Sequence, residues 1–405
     1  MRIAMISEHA SPLATLGGHD AGGQNAHVAE LPAALAADGH EVRVYTRRDA
    51  TGLPAVVSMC DGVEVVHVPA GPPEPLPKDE LLPYMAAFGN WLGAQWQDGG
   101  WRPDVAHAHF WMSGIATVAA GRQVAVPVVL TYHALGTVKR RYQGSRDTSP
   151  KRRIGYERAL GRGVDRVIAQ CRDEVGELLR MGVSRSRIAV VPSGVDTGRF
   201  TPDGPAVPRD DGRLRILSVG RLVERKGFAD LIRAMRAVPA AECVVIGGPP
   251  ADRLDADPYA CQLNELAAKS RVADRVQLVG AVPREDMPAW YRSADVLVAA
   301  PWYEPFGLTP LEAMACGVPV IASAVGGLTD TIVDQVTGDL VPPRDPVALG
   351  VALRALLGDP VRRLSYASAA VDRAGSCYSW RRAADQVAAV YTTVAGSRRP
   401  SGAVA

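Results

Sequence analysis

The chain has 405 residues, with 45 Lys and Arg set against 43 Asp and Glu and a formal net charge of +2. That length suits two to three domains of ordinary size, and the near balance of charge argues against a general nucleic-acid binder. Six scattered cysteines (Cys60, Cys171, Cys243, Cys261, Cys316, Cys377) show neither a CxxC pair nor metal-ligand spacing, so they read as buried free thiols of a reducing cytoplasm.

The first apolar segment begins at once, Ile3–Ser7, so no signal peptide is expected. No apolar stretch is long enough to span a bilayer. A glycine-rich turn, Gly17 to Asn25, follows and leads into a helix from about Asn25 to Ala37, ended by Gly39. Such a turn is a phosphate cradle in principle, although tight packing also produces one. Pro32 inside that helix removes a backbone hydrogen bond at a cost of roughly 3 kcal/mol, and a kink is expected there. Further strands are expected at Val42–Thr46, Glu64–Val68, Val105–His109, Val128–Thr131, Arg166–Ala169 and Ile188–Val191. His107 lies within its strand and reads as core, while His109 at the strand end stays open. His133 sits just past an apolar strand, where a site role is favoured over a structural one. Lys139 to Arg153 carries seven cations in KRRYQGSRDTSPKRR. A solvated helix start, a site for an acidic acceptor and contact with an anionic membrane surface all fit that run.

The stretch Thr197–Gly212, rich in Gly, Pro and Asp, is the best linker. Beyond it strands are expected at Arg215–Val219, Cys243–Ile246, Val276–Val279, Val296–Ala299 and Val318–Ala322, with helical patterns such as Phe228–Val238 and Tyr259–Ala268 between them. Strand and helix alternate throughout, which means α/β architecture with parallel sheets covered on both faces. The expected division is 1–198 and 199–379, with a helix over 380–395 and a flexible tail over 396–405. Gly220 and Arg221, then Lys226, follow the first strand of the second half. The two cations could neutralise a diphosphate or could be an ordinary solvated pair near Glu224.

Residues 295–322 concentrate the most information. A buried strand leads to Glu304-Pro305-Phe306-Gly307-Leu308-Thr309-Pro310-Leu311-Glu312, then to a short helix stopped by Gly317. Thr309 and Glu312 have capping-box spacing with Pro310 as the first helical residue. Glu312 is therefore either a capping partner or a site carboxylate. Glu304 lies outside the helix, so capping does not explain it. A helix N-terminus approached through Gly307 suits a phosphate.

EPFGLTPLEAMACGVPVIAS, SVGRLVERKG (Ser218 to Gly227) and GGHDAGGQNAHVAEL (Gly17 to Leu31) together resemble the retaining family-4 glycosyltransferases of the GT-B fold. The resemblance spans nearly the whole chain. It implies two Rossmann-like, doubly wound domains facing across a cleft, with the last helix returning to the first domain. It also implies a nucleotide diphosphate sugar as co-substrate, a uridine one first and a GDP or ADP sugar as alternatives, and a small polyol, sugar or sugar-phosphate acceptor. Gly23, Gly220, Arg221, Lys226, Glu304 and Glu312 would hold the donor, with the backbone of Val282, Phe306, Gly307, Leu308 and Thr309. Glu304, His133, Arg221 and Lys226 would carry the chemistry. Within the family, the pattern is similar to the members that glycosylate an inositol phosphate to begin mycothiol synthesis. Sucrose and sucrose-phosphate synthases share GGQN. By that likeness Asn25, Lys78, Phe110, Ala134 and Arg153 would face the acceptor. Phe110 and Ala134 stand where a tyrosine and a threonine hold the acceptor's phosphate, so inositol 1-phosphate is expected to be a poor acceptor. No DxD stands where it could hold a diphosphate–metal complex, so no metal and no other cofactor is expected. An epimerase on the same scaffold and a non-catalytic binder are the rival readings. Among partners, a homodimer and a membrane contact through 139–153 stay open, and nucleic acid is not expected.

Overall fold

Strands buried at every position, such as Val105–His109, need cover on both faces, and the intervening helices supply it. The computed structural model describes residues 1–14, 22–209 and 212–397; residues 17–21 of the glycine-rich turn and 398–405 of the expected tail lie outside it. The chain divides into two compact units. One comprises Met1–Ala14, Gln24–Pro192 and the chain from Trp380 onward, and the other consists chiefly of Ser193–Ser379.

The first unit carries β1 (Arg2–Ile6), β2 (Glu41–Arg47), β3 (Val56–Cys60), β4 (Val63–Val68), β5 (Val105–His109), β6 (Val128–Thr131), β7 (Arg166–Ala169) and β8 (Ile188–Val190). They form one sheet in the order β3-β4-β2-β1-β5-β6-β7-β8. All neighbours are parallel except β3 against β4. The edge strand β3 was not expected: its alternation of exposed and half-buried residues is a weak signal. The hairpin turn into β4 does carry one, since Asp61 precedes Gly62, which sits at φ 78°. The order reverses beside β1, which pairs with β2 on one side and β5 on the other. Ligands of open α/β sheets gather at such a switch point, outside the strands' carboxyl ends. Register puts His107 beside Met5 and Val129, and His109 beside Thr131. The segments leaving β1, β5 and β6 therefore emerge side by side.

The second unit carries β9 (Leu214–Val219), β10 (Ala241–Ile246), β11 (Val276–Gly280), β12 (Val296–Ala299), β13 (Val320–Ser323) and β14 (Gly338–Val341). The sheet is parallel, in the order β11-β10-β9-β12-β13-β14. Its switch point lies between β9 and β12. The unexpected strand is again at an edge, β14.

The last helix, Trp380–Ser397, buries Trp380, Ala384, Val387, Tyr391 and Val394, a stripe at helical spacing. The stripe packs against Ile3, Met5, Leu31, Val42 and Val105 and closes the core of the first unit. The division falls after Pro192 rather than at 198. Val195 and Phe200 already pack in the second unit's core, which linker composition does not reveal. The first helix runs without interruption over Gly23–Ala37, with Pro32 inside it and buried. At its end the Gly39 and His40 N–H groups donate to the Ala36 and Leu35 carbonyls. The expected helix Phe228–Val238 is α-helical only over Phe228–Ala234 and tightens to a 3₁₀ turn at Met235–Ala237. All six cysteines are free, but only Cys171, Cys243 and Cys316 are buried, and Cys60 is exposed. Among the described residues no helix is long and apolar enough to cross a membrane.

Candidate active site

In the second unit, the residues at the switch point converge as their spacing suggests. Lys226 follows β9 and Glu304 follows β12; the Lys226 ammonium donates to Glu304 Oε2 at 2.6 Å. Both side chains are largely buried, 20% and 15% exposed. Burial pushes the Glu304 carboxyl up, but Lys226, Arg225 and Arg221 together outweigh it, so its pKa is lowered and it stays a carboxylate. Burial, with Arg225 and Arg221, lowers the Lys226 pKa against the opposing pull of Glu304. A recess in this unit is lined by Ser218, Lys226, Glu304, Gly307, Thr309 and Leu328, among others. Gly220 and the partly buried Arg221 directly follow β9, and Val282, half-buried, follows β11.

Glycine shapes this loop by necessity. Gly307 has φ 96°, and a Cβ there would lie 2.6 Å from Leu328 Cδ2. A Cβ on Gly326 would meet the Glu304 carbonyl oxygen at 2.1 Å, and one on Gly327 would lie 2.6 Å from Phe306 Cα. The Gly327 N–H donates to that same Glu304 carbonyl at 3.0 Å. Residues 304–307 thus rest on a two-glycine floor that sets the height of Glu304.

The capping box does not form. The helix is Leu308–Ala315 with Gly307 as its N-cap and no side-chain cap, which makes Pro310 its third residue rather than its first. Glu312 is pulled the other way. Its Oε1 accepts from Arg284 at 2.9 Å and its Oε2 accepts from the Tyr291 hydroxyl at 2.7 Å. A tertiary ion pair and a buried hydroxyl win over a local cap. The helix N-terminus at Leu308 and Thr309 is left with N–H groups that have no intrahelical acceptor. Sequence reasoning missed Arg225 as a third cation: it lies over the Tyr303 ring at 5.2 Å, and its Nη1 is buried without a hydrogen-bond partner.

In the first unit, two of the expected residues sit in strained backbone. Phe110 follows β5 with φ 85° and ψ 157°, a region nearly restricted to glycine, and His133 follows β6 with φ 58°. Strain of this kind persists where surrounding structure over-determines it, and it clusters at functional sites. The Phe110 N–H donates to the Thr131 carbonyl at 2.8 Å, which ties the two strand ends together. His133 Nε2 and His109 Nδ1 are hydrogen-bonded at 2.9 Å. His107 is core as expected, bonded to Tyr391 and Thr131.

The acceptor set divides. Asn25 is buried and donates to the Ser11 carbonyl at 3.0 Å. Lys78 is half-buried at the start of a 3₁₀ turn. Arg153, however, is 2% exposed, and each of its three nitrogens donates inside the unit. Nε donates to Glu157 at 2.7 Å, Nη1 to Ser149 at 3.1 Å and Nη2 to the Ala134 carbonyl at 2.6 Å. The guanidinium lies over the Phe110 ring at 5.0 Å. The structure therefore links Arg153, Phe110 and Ala134 to one another and engages three of the arginine's five N–H groups inside the unit. Sequence reasoning missed the pair after β1: Glu8, fully buried, bonds His9 Nδ1 at 2.7 Å and accepts from the Ser113 hydroxyl, and His9 packs on Phe110. The only sequence signal was their place at a central strand's carboxyl end. Much of the cationic run is internally paired: Lys139 with Asp147 at 3.1 Å and Arg141 with Glu177 at 2.6 Å.

Comparison with known proteins bears on both units. Residues 21–199 match the glycosyltransferase family 4 domain, and residues 203–373 match the group 1 glycosyl transferases. The D-inositol 3-phosphate glycosyltransferase of Xylanimonas cellulosilytica is 39% identical over 421 residues, covering 99% of this chain and 98% of that one. Its counterpart in Geodermatophilus obscurus is 38% identical, covering 97% and 90%. Among solved structures, sucrose-phosphate synthase from Thermosynechococcus elongatus superposes with a TM-score of 0.88 at 32% identity, covering 98% and 99%. Anabaena Alr3699/HepE, in complex with UDP and glucose, shares the fold at a TM-score of 0.74 and 19% identity, covering 97% and 100%. Two Rossmann-like parallel-sheet units, a carboxylate–lysine pair at a helix N-terminus and likeness over almost the full length agree: the chain belongs to the family-4, group 1 glycosyltransferases of the GT-B fold.

Proposed function

We propose that this glycosyltransferase moves a hexosyl group, with retention, from a nucleoside diphosphate sugar to a hydroxyl of a small polyol, sugar or sugar phosphate. A uridine donor is the first choice. The carrying observation is the Lys226–Glu304 pair, in the recess lined by Gly307 and Thr309. Lys226, Arg221 and the first N–H groups of the helix Leu308–Ala315 would take the diphosphate, meeting the charge that grows on the leaving group. Glu304 would accept from donor-sugar hydroxyls. Tied to Lys226, it is a poor nucleophile, which favours front-face attack in which a diphosphate oxygen takes the acceptor's proton. Glu312 would bind ribose hydroxyls with the acceptor sites that Arg284 and Tyr291 leave on its two oxygens. With Arg221 and Lys226 supplying positive charge, no metal is needed for turnover. Six free thiols suit the cytoplasm as the place of action.

For the acceptor, the curated relatives' names point to an inositol phosphate, and the residues of this chain point away from it. Phe110 and Ala134 offer no hydroxyl, and Arg153 is held by Glu157, Ser149 and Ala134. Each lost hydrogen bond to a charged phosphate costs about 1.5–3 kcal/mol. We read the acceptor as a different polyol, sugar or sugar phosphate. The test is a panel of acceptors with labelled donors, following acceptor-dependent release of nucleoside diphosphate. Glu304→Ala should lose turnover by about 10²-fold or more while Glu304→Asp keeps a trace. No release with any acceptor, or alanine at wild-type kcat/KM, would overturn the reading.

A further inference from the structure

We infer that His27, His109 and His133 form a three-imidazole site for a divalent transition-metal ion, Zn²⁺ by preference. His109 closes β5, His133 follows β6 in left-handed backbone, and His27 lies in the second turn of the helix Gly23–Ala37. One ring nitrogen from each lies within 4.8 Å of the other two. In a tetrahedral zinc site with Zn–N near 2.0–2.1 Å, ligand nitrogens stand about 3.3 Å apart, so the rings would have to draw together by up to about 1.5 Å to close the set.

His109 supplies the second observation. The residue is fully buried, its Nδ1 is bonded to His133, and its Nε2 has no hydrogen-bond partner. With the shared proton on His109 Nδ1, His109 Nε2 presents a bare lone pair to the interior, while His133 Nε2 accepts the hydrogen bond; metal binding would exchange that bond for coordination by His133 Nε2. Burial also holds all three imidazoles neutral, His27 down to a pKa of about 3. The donor set is all nitrogen, and no carboxylate joins the group. It therefore suits zinc, copper or nickel and disfavours magnesium and calcium. His107 backs the site without ligating: its ring centroid is 4.1 Å from that of His109, and both its nitrogens are engaged by Tyr391 and Thr131. Three protein ligands leave one position open.

Occupancy would take His133 out of service. The consequence for turnover rests on the function proposed above, whereas binding does not. The metal would inhibit rather than assist, so chelator should leave activity intact and relieve zinc inhibition.

The experiment uses full-length, tag-free protein stripped with chelator and then titrated with Co²⁺. One equivalent should produce the visible d–d absorption of a four-coordinate nitrogen site, bleached by Zn²⁺. His27→Phe and His27→Asn should each weaken binding by at least the ~10–100-fold that loss of an outer-shell partner costs. Circular dichroism and an unchanged affinity for nucleoside diphosphate show that each variant is folded. Absence of a saturable band, a band retained in both folded variants, or only near-ultraviolet thiolate charge transfer would overturn the assignment.

Discussion

Buried neutral histidines make the first unit acid-labile, and the size of the effect follows from where they sit. All eight histidines of the chain lie at or before residue 133, and none lies in Ser193–Ser379. Burial lowers the pKa of His27 to about 3 and puts those of His107, His109 and His133 well below the ordinary value, the neighbouring imidazoles adding to it. A base whose folded pKa is lowered costs stability as pH falls through its unfolded pKa, near 6.5, because the unfolded chain takes the proton and the folded one does not. Between pH 7.5 and 5.5 each such histidine costs on the order of 1 kcal/mol, so the four together cost a few kcal/mol. Glu174 works in the opposite sense. Burial pushes its carboxyl up to about 7, so it takes its proton in the folded state over the same range and returns about 2 kcal/mol. Glu157, whose carboxyl burial also pushes up, works in the same sense as Glu174, so the net loss is on the order of 1–3 kcal/mol, a sizeable share of a typical domain's 5–15 kcal/mol. Hydrogen exchange read by mass spectrometry at both pH values, in the presence of chelator, should show protection falling in β1 and β5 but not in β9 and β12, after correction for intrinsic exchange. His27→Phe should remove on the order of 1 kcal/mol of that dependence. Equal pH sensitivity in both units, or an unchanged slope in the variant, would refute the reasoning.

Arg221→Ala and Lys226→Ala should each weaken nucleoside diphosphate binding while leaving the free nucleoside nearly untouched; calorimetric titration with both ligands checks this, and equal losses would mark a role in the fold only. Gly326→Ala should lower kcat by about tenfold or more although Gly326 is not assigned any ligand contact, because its Cβ at 2.1 Å from the Glu304 carbonyl oxygen forces the loop to move. Wild-type kinetics in that variant would show that the height of Glu304 is not critical. Phe110→Tyr with Ala134→Thr should raise kcat/KM for inositol phosphate by about two orders of magnitude or more through restored hydroxyl donors; no gain would remove these positions from the acceptor site.

Local pattern sufficed for the alternation of strand and helix, for the apolar strands at the centre of each sheet and for the loop carrying Glu304 and Gly307. Those features depend on periodicity and on glycine's freedom at positive φ, which neighbours in sequence already state. It failed at the edges, where β3 and β14 owe their pairing to a strand placed elsewhere. Capping-box spacing at Thr309 and Glu312 was legible yet misleading, because Arg284 and Tyr291, distant in sequence, offer Glu312 a stronger partnership. Arg153 looked free for a phosphate until folding set Glu157, Ser149 and the Ala134 carbonyl around it. The histidines read one at a time as core or site, and only the β5–β6 register, the first helix and the closing helix Trp380–Ser397 assemble them. Periodicity and turn chemistry are properties of adjacent residues. Burial and the competition for hydrogen-bond partners are decided by groups that folding alone brings together.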